Sequence, residues 1–316
     1  MIYLVNSKAL QEMGLRKGQE ILTIDGRGVH DYVADRVEPF QSASTQQDLD
    51  VRVYGFGLLQ GDAEQAIELV VSDADGSRQT FLVPRTGYDK SDRSEALPGW
   101  FSVRDLGDGI LLLDIRSFNY ESVLETFTER FEEISQARGL VIDLRKNGGG
   151  NSGIGWGILA QMVDRPFPTS QWKTRLYRPT FRAWSRPDAW SWHEAIGDEF
   201  EAHGENLFAG PVAVLSGPRT YSAAEDFLAA FRQAGRGPII GQASGGSTGQ
   251  PLHFSLPGGG SARVCTKRDL FADGTEFIGV GVIPDLEVQE TVADLRRGHD
   301  ASKDRAKRYL LEQLSE

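Results

Sequence analysis

Short apolar runs alternate with amphipathic segments between residues 109 and 241, and this order constrains the fold most. Four runs have the length and composition of buried strands, at residues 109–115, 139–144, 211–215 and 238–241. Residues 121–137 and 222–233 carry apolar side chains at helical spacing. A β–α–β–α order favours parallel strands whose faces are covered by helices. We therefore predict an α/β fold with a largely parallel core sheet flanked by helices.

The N-terminal residues 1–86 have a different pattern, of short strands and turns. Alternating apolar residues predict strands near residues 21–24, 50–54, 66–72 and 79–83. Residues 87–98 are polar and aperiodic and are predicted to be a linker. The core domain then covers residues 99–316. It contains an insertion at 164–208 with four tryptophans and four prolines, and such long irregular insertions are often lids or binding loops.

The composition excludes several classes of protein. The net charge of −11 over 316 residues provides no basic excess for nucleic-acid binding. Cys265 is the single cysteine, so a disulfide framework is excluded, and its alternating surroundings predict a buried thiol. The apolar runs are too short to span a membrane.

We expect no metal and no cofactor. We expect a cytoplasmic protein, or one of the cell envelope if the start is truncated and an export signal was lost.

The glycine run that follows the strand at 139–144 is the first candidate for chemistry. Gly148 and Gly149 allow positive φ and leave backbone N–H groups uncovered for an anion or oxyanion. A phosphate-binding loop would need a lysine that is absent here. A dinucleotide fingerprint would need an acidic residue further along than Asp164. An oxyanion-binding loop and a simple tight turn remain as alternatives.

Ser222 is the second candidate, because it lies where a loop enters a helix after a buried strand. The helix dipole and the free N–H of Ala223 would favour negative charge at this point. The alternative is that Ser222 only caps the helix, since Glu225 three residues later completes a capping-box spacing.

Taken together, these segments resemble the C-terminal processing (tail-specific) serine protease family, whose core is crotonase-like. Residues 14–26 look like part of its PDZ domain, here incomplete at the start. Residues 108–118, 143–150, 220–225 and 279–288 resemble its core motifs in the same order. The resemblance implies that Ser222 is the nucleophile. It implies an oxyanion hole formed by Ala223 with Gly148 or Gly149, and supporting roles for Arg145 and Glu225.

The general base does not follow the pattern of this family. Members with a serine–lysine pair carry the lysine 25 residues after the nucleophile, where this chain has Ser247. Other branches use a histidine near the first core strand, and residues 108–120 contain none. The remaining candidates are a histidine of the insertion (His193 or His203), His253 and Lys267.

Two functions are therefore open. The first is a serine endopeptidase that cleaves extended or unfolded polypeptide. The second is a non-catalytic protein of the same fold that binds peptides, or peptide C-termini, after losing its base. Both imply a polypeptide partner, and the oligomeric state does not follow from the sequence.

Overall fold

The computed structural model describes residues 2–3, 8–85, 99–204 and 207–315. They belong to two compact units, Met1–Leu97 with Val288–Asp304, and Pro98–Glu287 with Arg305–Glu316. The predicted linker at 87–98 lies outside the described residues. In the described part of the chain, no helix has the length and apolar composition needed to cross a membrane.

An antiparallel sheet forms the centre of the first unit. Its order is β1-β2-β4-β5, with β3 beside β2. Leu69 and Val71 of β4 are fully buried beneath α2 and its neighbours. The strands are β1 Ile2–Tyr3, β2 Glu20–Ile24, β3 Arg27–Gly28, β4 Ala66–Ser72 and β5 Arg78–Pro84. The helices are α1 Lys8–Glu12, α2 Val29–Arg36 and α3 Gln46–Asp50, and α9 Val292–Arg297 belongs to the same unit.

The predicted strand at 50–54 is wrong, because α3 continues into a π-helix, Val51–Gly57. Thr45 caps α3 by accepting a hydrogen bond from the Asp48 backbone N–H at 3.1 Å. The buried Asp48 carboxylate then pairs with Arg52 at 2.8 Å, one turn further along. The cap and this ion pair stabilise a helical backbone where a short apolar alternation indicated a strand.

The second unit contains the predicted α/β core. A six-stranded sheet has the order β18-β14-β13-β8-β7-β6, and all its neighbours are parallel except β6, which is antiparallel to β7. Every residue of β8 and β13 is buried. The helices are α4 Ser122–Glu129, α5 Phe131–Ser135, α6 Ser152–Leu159, α7 Pro179–Ala183 and α8 Ala223–Gln233. The last helix, α10 Ala301–Gln313, is divided between the two units after Asp304. The largely parallel sheet flanked by helices is confirmed.

The insertion contributes strands rather than irregular loops alone. An antiparallel sheet, β11-β10-β17, joins it to the chain beyond residue 266, while β15 and β16 form a separate ribbon. The strands of the second unit are β6 Phe101–Asp105, β7 Ile110–Ile115, β8 Gly139–Asp143, β9 Phe167–Pro168, β10 Gln171–Tyr177, β11 Trp190–Ala195, β12 Glu199–Phe200, β13 Val212–Ser216, β14 Ile239–Gly241, β15 Pro251–Ser255, β16 Ser261–Cys265, β17 Lys267–Leu270 and β18 Leu286–Glu287.

The prediction of a buried Cys265 thiol is wrong, because the residue is exposed. Cys265 ends β16, which pairs only with β15 in a two-stranded ribbon. All five residues of β15 are exposed. A ribbon without a second layer leaves both of its faces to solvent, so the alternation in its sequence did not indicate a core position.

Candidate active site

Ser222 lies at the sharp turn between the loop that follows β13 and the start of α8. Its backbone has φ 54° and ψ −126°, a conformation that non-glycine residues rarely adopt. Strained residues of this kind persist where neighbouring contacts over-determine the backbone, and they cluster at functional sites. Here the Tyr221 N–H donates to the Asn147 carbonyl at 3.0 Å, and the Thr220 hydroxyl donates to the Leu144 carbonyl at 2.8 Å. The serine is thus held against the end of β8.

The glycine loop after β8 packs directly on the serine. A Cβ added to Gly149 would lie 2.6 Å from the Ser222 Cβ and 3.1 Å from the Ala223 backbone nitrogen. Gly149 also has φ +95°, in the region that favours glycine. Any side chain at this position would therefore fill the space in front of the first amide of α8.

Two backbone amides beside this space are free. The Gly149 N–H donates to the Asn147 side-chain oxygen at 2.9 Å, so it is already satisfied. The N–H groups of Gly148 and Ala223 have no acceptor among the described residues. Ala223 is the first residue of α8, where the helix dipole adds to the positive potential. A pair of unsatisfied donors at a helix start can stabilise a developing oxyanion.

Glu225 connects the serine to the glycine-rich turn at residues 244–248. The carboxyl group is fully buried and receives no ion pair among the described residues. Burial raises its pKa to about 7, against the lowering effect of its hydrogen bonds. It accepts hydrogen bonds from the Ser222 N–H (3.2 Å), the Ser244 hydroxyl (2.5 Å), the Gly246 N–H (2.7 Å), the Ser247 N–H (3.0 Å) and the Thr248 hydroxyl (2.5 Å).

A second group of buried carboxylates lies one helical turn beyond the serine. Asp226 accepts a hydrogen bond from the Ser152 hydroxyl at 2.6 Å, and Asp269 pairs with the Lys267 ammonium at 2.5 Å. Asp226 Oδ1 and Asp269 Oδ2 are buried and have no partner among the described residues. Burial, reinforced by the negative charge of Asp269, raises the pKa of Asp226 to about 6. Burial also raises the pKa of Asp269.

Comparison with known proteins identifies the family of this chain. Peptidase family S41 matches residues 109–288, more than half of the chain. The chain belongs to peptidase family S41.

The relatives of this S41 chain are distant in sequence. It is 24% identical over 294 residues to the chloroplastic C-terminal processing peptidase of Tetradesmus obliquus, and the match covers 89% of this chain. It spans about half the length of that relative, 55%. Mature CPAF complexed with lactacystin has 15% identity and a TM-score of 0.73, covering 99% of this chain and 80% of the other. A putative peptidase from Parabacteroides merdae has 24% identity and a TM-score of 0.55, with coverages of 67% and 65%. These structural matches show the fold.

The predicted site residues of the S41 chain lie on three segments that contact one another. Gly149 touches Ser222, and Glu225 binds the amides of both Ser222 and Ser247. Arg145 lies at the start of the glycine loop and pairs with Asp143 at 2.7 Å. Ser247 contributes a backbone amide to the network around Glu225.

The structure brings two of the candidate bases, His193 and Lys267, to one face of a sheet. In the sheet β11-β10-β17, Thr174 lies opposite both His193 and Lys267, so these three side chains share one face. His253 lies on the exposed ribbon, opposite Arg263. Among the described residues, no histidine or lysine nitrogen is hydrogen-bonded to Ser222.

Asp226 and Asp269 are the site residues that sequence reasoning missed. Asp226 directly follows Glu225 on a helix whose first nine residues are all buried. On β17, the buried Asp269 directly follows the exposed Arg268. Two consecutive acidic residues within an otherwise apolar helix were the available signal for Asp226, since charged side chains are rarely buried without a function or a partner.

Proposed function

We propose that this chain is a serine endopeptidase that cleaves extended or unfolded polypeptide, with Ser222 as the nucleophile. The observation that carries the proposal is the strained Ser222 beside the free amides of Gly148 and Ala223. The Ser222 oxygen attacks the scissile carbonyl carbon, and the carbonyl oxygen becomes an oxyanion that accepts hydrogen bonds from these two amides. The intermediate then expels the amine, and water hydrolyses the acyl-enzyme.

Glu225 is a positioning residue in this proposal. It holds the Ser222 N–H and the turn at 244–248 without contacting the reacting atoms. Arg145 supports the glycine loop through Asp143. The hydrogen bonds of Glu225 help to over-determine the strained backbone of Ser222.

Lys267 is the candidate base whose contacts come nearest to the nucleophile. Its backbone N–H donates to the Gly249 carbonyl at 3.3 Å, next to Thr248, whose hydroxyl lies 3.5 Å from the Ser222 carbonyl oxygen. Lysine accepts a proton only as a neutral amine, whereas the ion pair with Asp269 stabilises the ammonium. Burial raises the pKa of both Asp226 and Asp269, so each carboxyl group holds a proton more readily than an exposed aspartic acid. We assign the proton acceptor to Lys267, coupled to the two carboxyl groups.

A second function, non-catalytic peptide binding, is favoured by the same ion pair. If the Lys267 amine stays protonated in its ion pair with Asp269, it cannot accept the proton of Ser222. Ser247 has no amine to offer where the family carries its lysine. Under either function, the N-terminal unit would bind a peptide C-terminus.

Labelling with a serine-reactive fluorophosphonate separates the two functions. The peptidase hypothesis predicts stoichiometric labelling that maps to Ser222 in tryptic peptides, and cleavage of an unfolded casein substrate that Ser222→Ala abolishes. Absence of labelling in protein with an intact thermal unfolding transition would instead support the non-catalytic function. Equal cleavage by the wild type and Ser222→Ala would exclude the proposed nucleophile.

A further inference from the structure

The sheet β11-β10-β17 has two chemically different faces. Paired residues of an antiparallel sheet share a face, and successive residues alternate between faces. Lys267 and Asp269 lie on the face that leads to Asp226 of α8, together with Trp172 opposite Asp269. The residues of β10 that alternate with Trp172, and their partners on β11, therefore project to the other face, away from the helix of Ser222. We call this second face the outer face.

This outer face carries aromatic rings that remain at the surface. Tyr177 lies opposite Trp190, and their rings stack with centroids 4.4 Å apart. Arg175 lies opposite Trp192, with its guanidinium 4.2 Å from the centre of the indole ring. Tyr177, Trp190 and Trp192 are 47%, 52% and 37% exposed. Rings of this size at the surface, ordered by cation–π and stacking contacts, are typical of binding surfaces rather than of core packing.

The same segment is basic although the chain as a whole is acidic. Residues 171–195, which include Glu194 opposite Lys173, contain five lysines and arginines and two acidic residues, in a chain of net charge −11. Lys173 is paired with Glu276, and Arg186 lies 3.5 Å from Asp188. Among the described residues, no carboxylate pairs with Arg175, Arg178 or Arg182. Three guanidinium groups of this segment thus lack a carboxylate partner, and that of Arg175 lies on the outer face with the exposed rings.

We propose that this surface, the Arg–Trp surface (Arg175, Tyr177, Arg178, Arg182, Trp190 and Trp192), is an exosite that binds an acidic polypeptide segment containing aromatic side chains. Guanidinium groups form bidentate pairs with carboxylates, and Trp, Tyr and Arg dominate the binding energy of protein interfaces. A short acidic segment meets only the local positive charge, because charges further than about 8 Å away are screened at physiological salt. An extended anionic surface would also meet the acidic remainder of the chain.

The exosite rests on the proposed function only for the chemical class of its partner, a polypeptide. Its position on the face opposite Lys267 separates it from the scissile bond. It would hold an acidic part of the substrate that is distant from Ser222. Binding at the Arg–Trp surface therefore does not require the Ser222 hydroxyl, and it is measurable in the Ser222→Ala variant.

Fluorescence anisotropy of the Ser222→Ala variant tests the exosite. The probe is a fluorescein-labelled peptide of four Glu-Gly-Phe-Gly repeats, and the matched probe has Gln in place of Glu. We expect binding of the acidic probe that weakens with salt, and affinity reduced by about tenfold in Arg175→Glu or Arg182→Glu. Arg308→Glu, an equal charge change at an exposed position of α10, is the control and should bind normally.

Several outcomes would overturn the exosite. Equal affinity for the Glu and Gln probes would exclude carboxylate recognition, and equal affinity of the Arg175→Glu, Arg182→Glu and Arg308→Glu variants would exclude this surface. Binding to phosphatidylglycerol vesicles without binding to the peptide would replace the polypeptide with a membrane. If Arg175→Glu fails to fold, hydrogen-exchange protection of residues 171–195 by the probe in Ser222→Ala protein decides the matter. These binding measurements do not depend on fluorophosphonate labelling, so a failure of labelling would not change their interpretation.

Discussion

Gly149 lies against Ser222 so closely that a Cβ on the glycine would be 2.6 Å from the Cβ of the serine. The contact joins the loop after β8 to the start of α8, whose first amide, that of Ala223, has no acceptor among the described residues. A Cβ added to the neighbouring Gly148 would meet no atom of another segment within 4 Å, so the two glycines differ in what they tolerate.

Gly149→Ala should therefore remove the proposed activity, whereas Gly148→Ala should retain most of it. The added methyl group in Gly149→Ala displaces Ser222 and covers the Ala223 N–H. We expect the rate of fluorophosphonate labelling to fall by at least about 100-fold, the scale of losing an oxyanion donor. Gly148→Ala keeps its backbone N–H and is the matched control. Equal labelling rates in the two variants would contradict the assigned oxyanion site.

Glu225→Gln should destabilise the protein as well as the site. The carboxylate accepts five hydrogen bonds, and a glutamine amide presents N–H groups to donors that then lack an acceptor. We expect a loss of about 1–3 kcal/mol in the free energy of unfolding, measured by urea denaturation. Glu129→Gln, an exposed change on α4, should leave this free energy within about 0.5 kcal/mol of the wild-type value. A stable Glu225→Gln variant would argue against the network.

The stability of the protein should depend on pH through Asp226. Its pKa is raised from 3.8 to about 6, so the folded state holds this proton more tightly than the unfolded state. The resulting stabilisation is fully present below pH 3.8 and is lost as the pH rises through 6. Asp226→Asn removes the titration, so the stability of the wild type relative to the variant should fall between about pH 4 and pH 7. Urea midpoints of both proteins across this range measure the difference, and a constant difference would contradict it.

Lys267→Met tests the proposed proton acceptor against a matched lysine. The side chains of Lys267 and Lys173 are both 22% exposed, and each has a carboxylate partner at 2.5 Å. We expect Lys267→Met to lower the rate of fluorophosphonate labelling by about 100-fold or more, and Lys173→Met to leave it nearly unchanged. Asp269→Asn should shift the pH profile of labelling, which a purely structural role of the ion pair would not do. Equal rates in the two methionine variants would exclude Lys267 as the base.

Local patterns predicted the elements that bury a continuous apolar surface. The strands around Leu113, Ile142 and Val214 and the helix through Phe227 and Phe231 follow directly from apolar runs and helical spacing. Segments with weaker patterns were less predictable. The alternation near Val53 occurs in a π-helix, because capping and an ion pair within the segment outweigh a five-residue pattern. Cys265 is exposed because, among the described residues, its strand pairs with β15 alone, in a two-stranded ribbon.

The candidate site likewise has features that the sequence predicts and features that it does not. The sequence alone offers Ser222 and the glycine loop as candidates, through the order of its motifs and their resemblance to a known family. The packing of the chain shows that Gly148 rather than Gly149 has the free amide, that Glu225 binds the turn containing Ser247, and that Asp226 and Asp269 lie buried near Lys267. Hydrogen bonding and burial between segments far apart in the chain depend on how the strands and helices pack, and no local pattern encodes them.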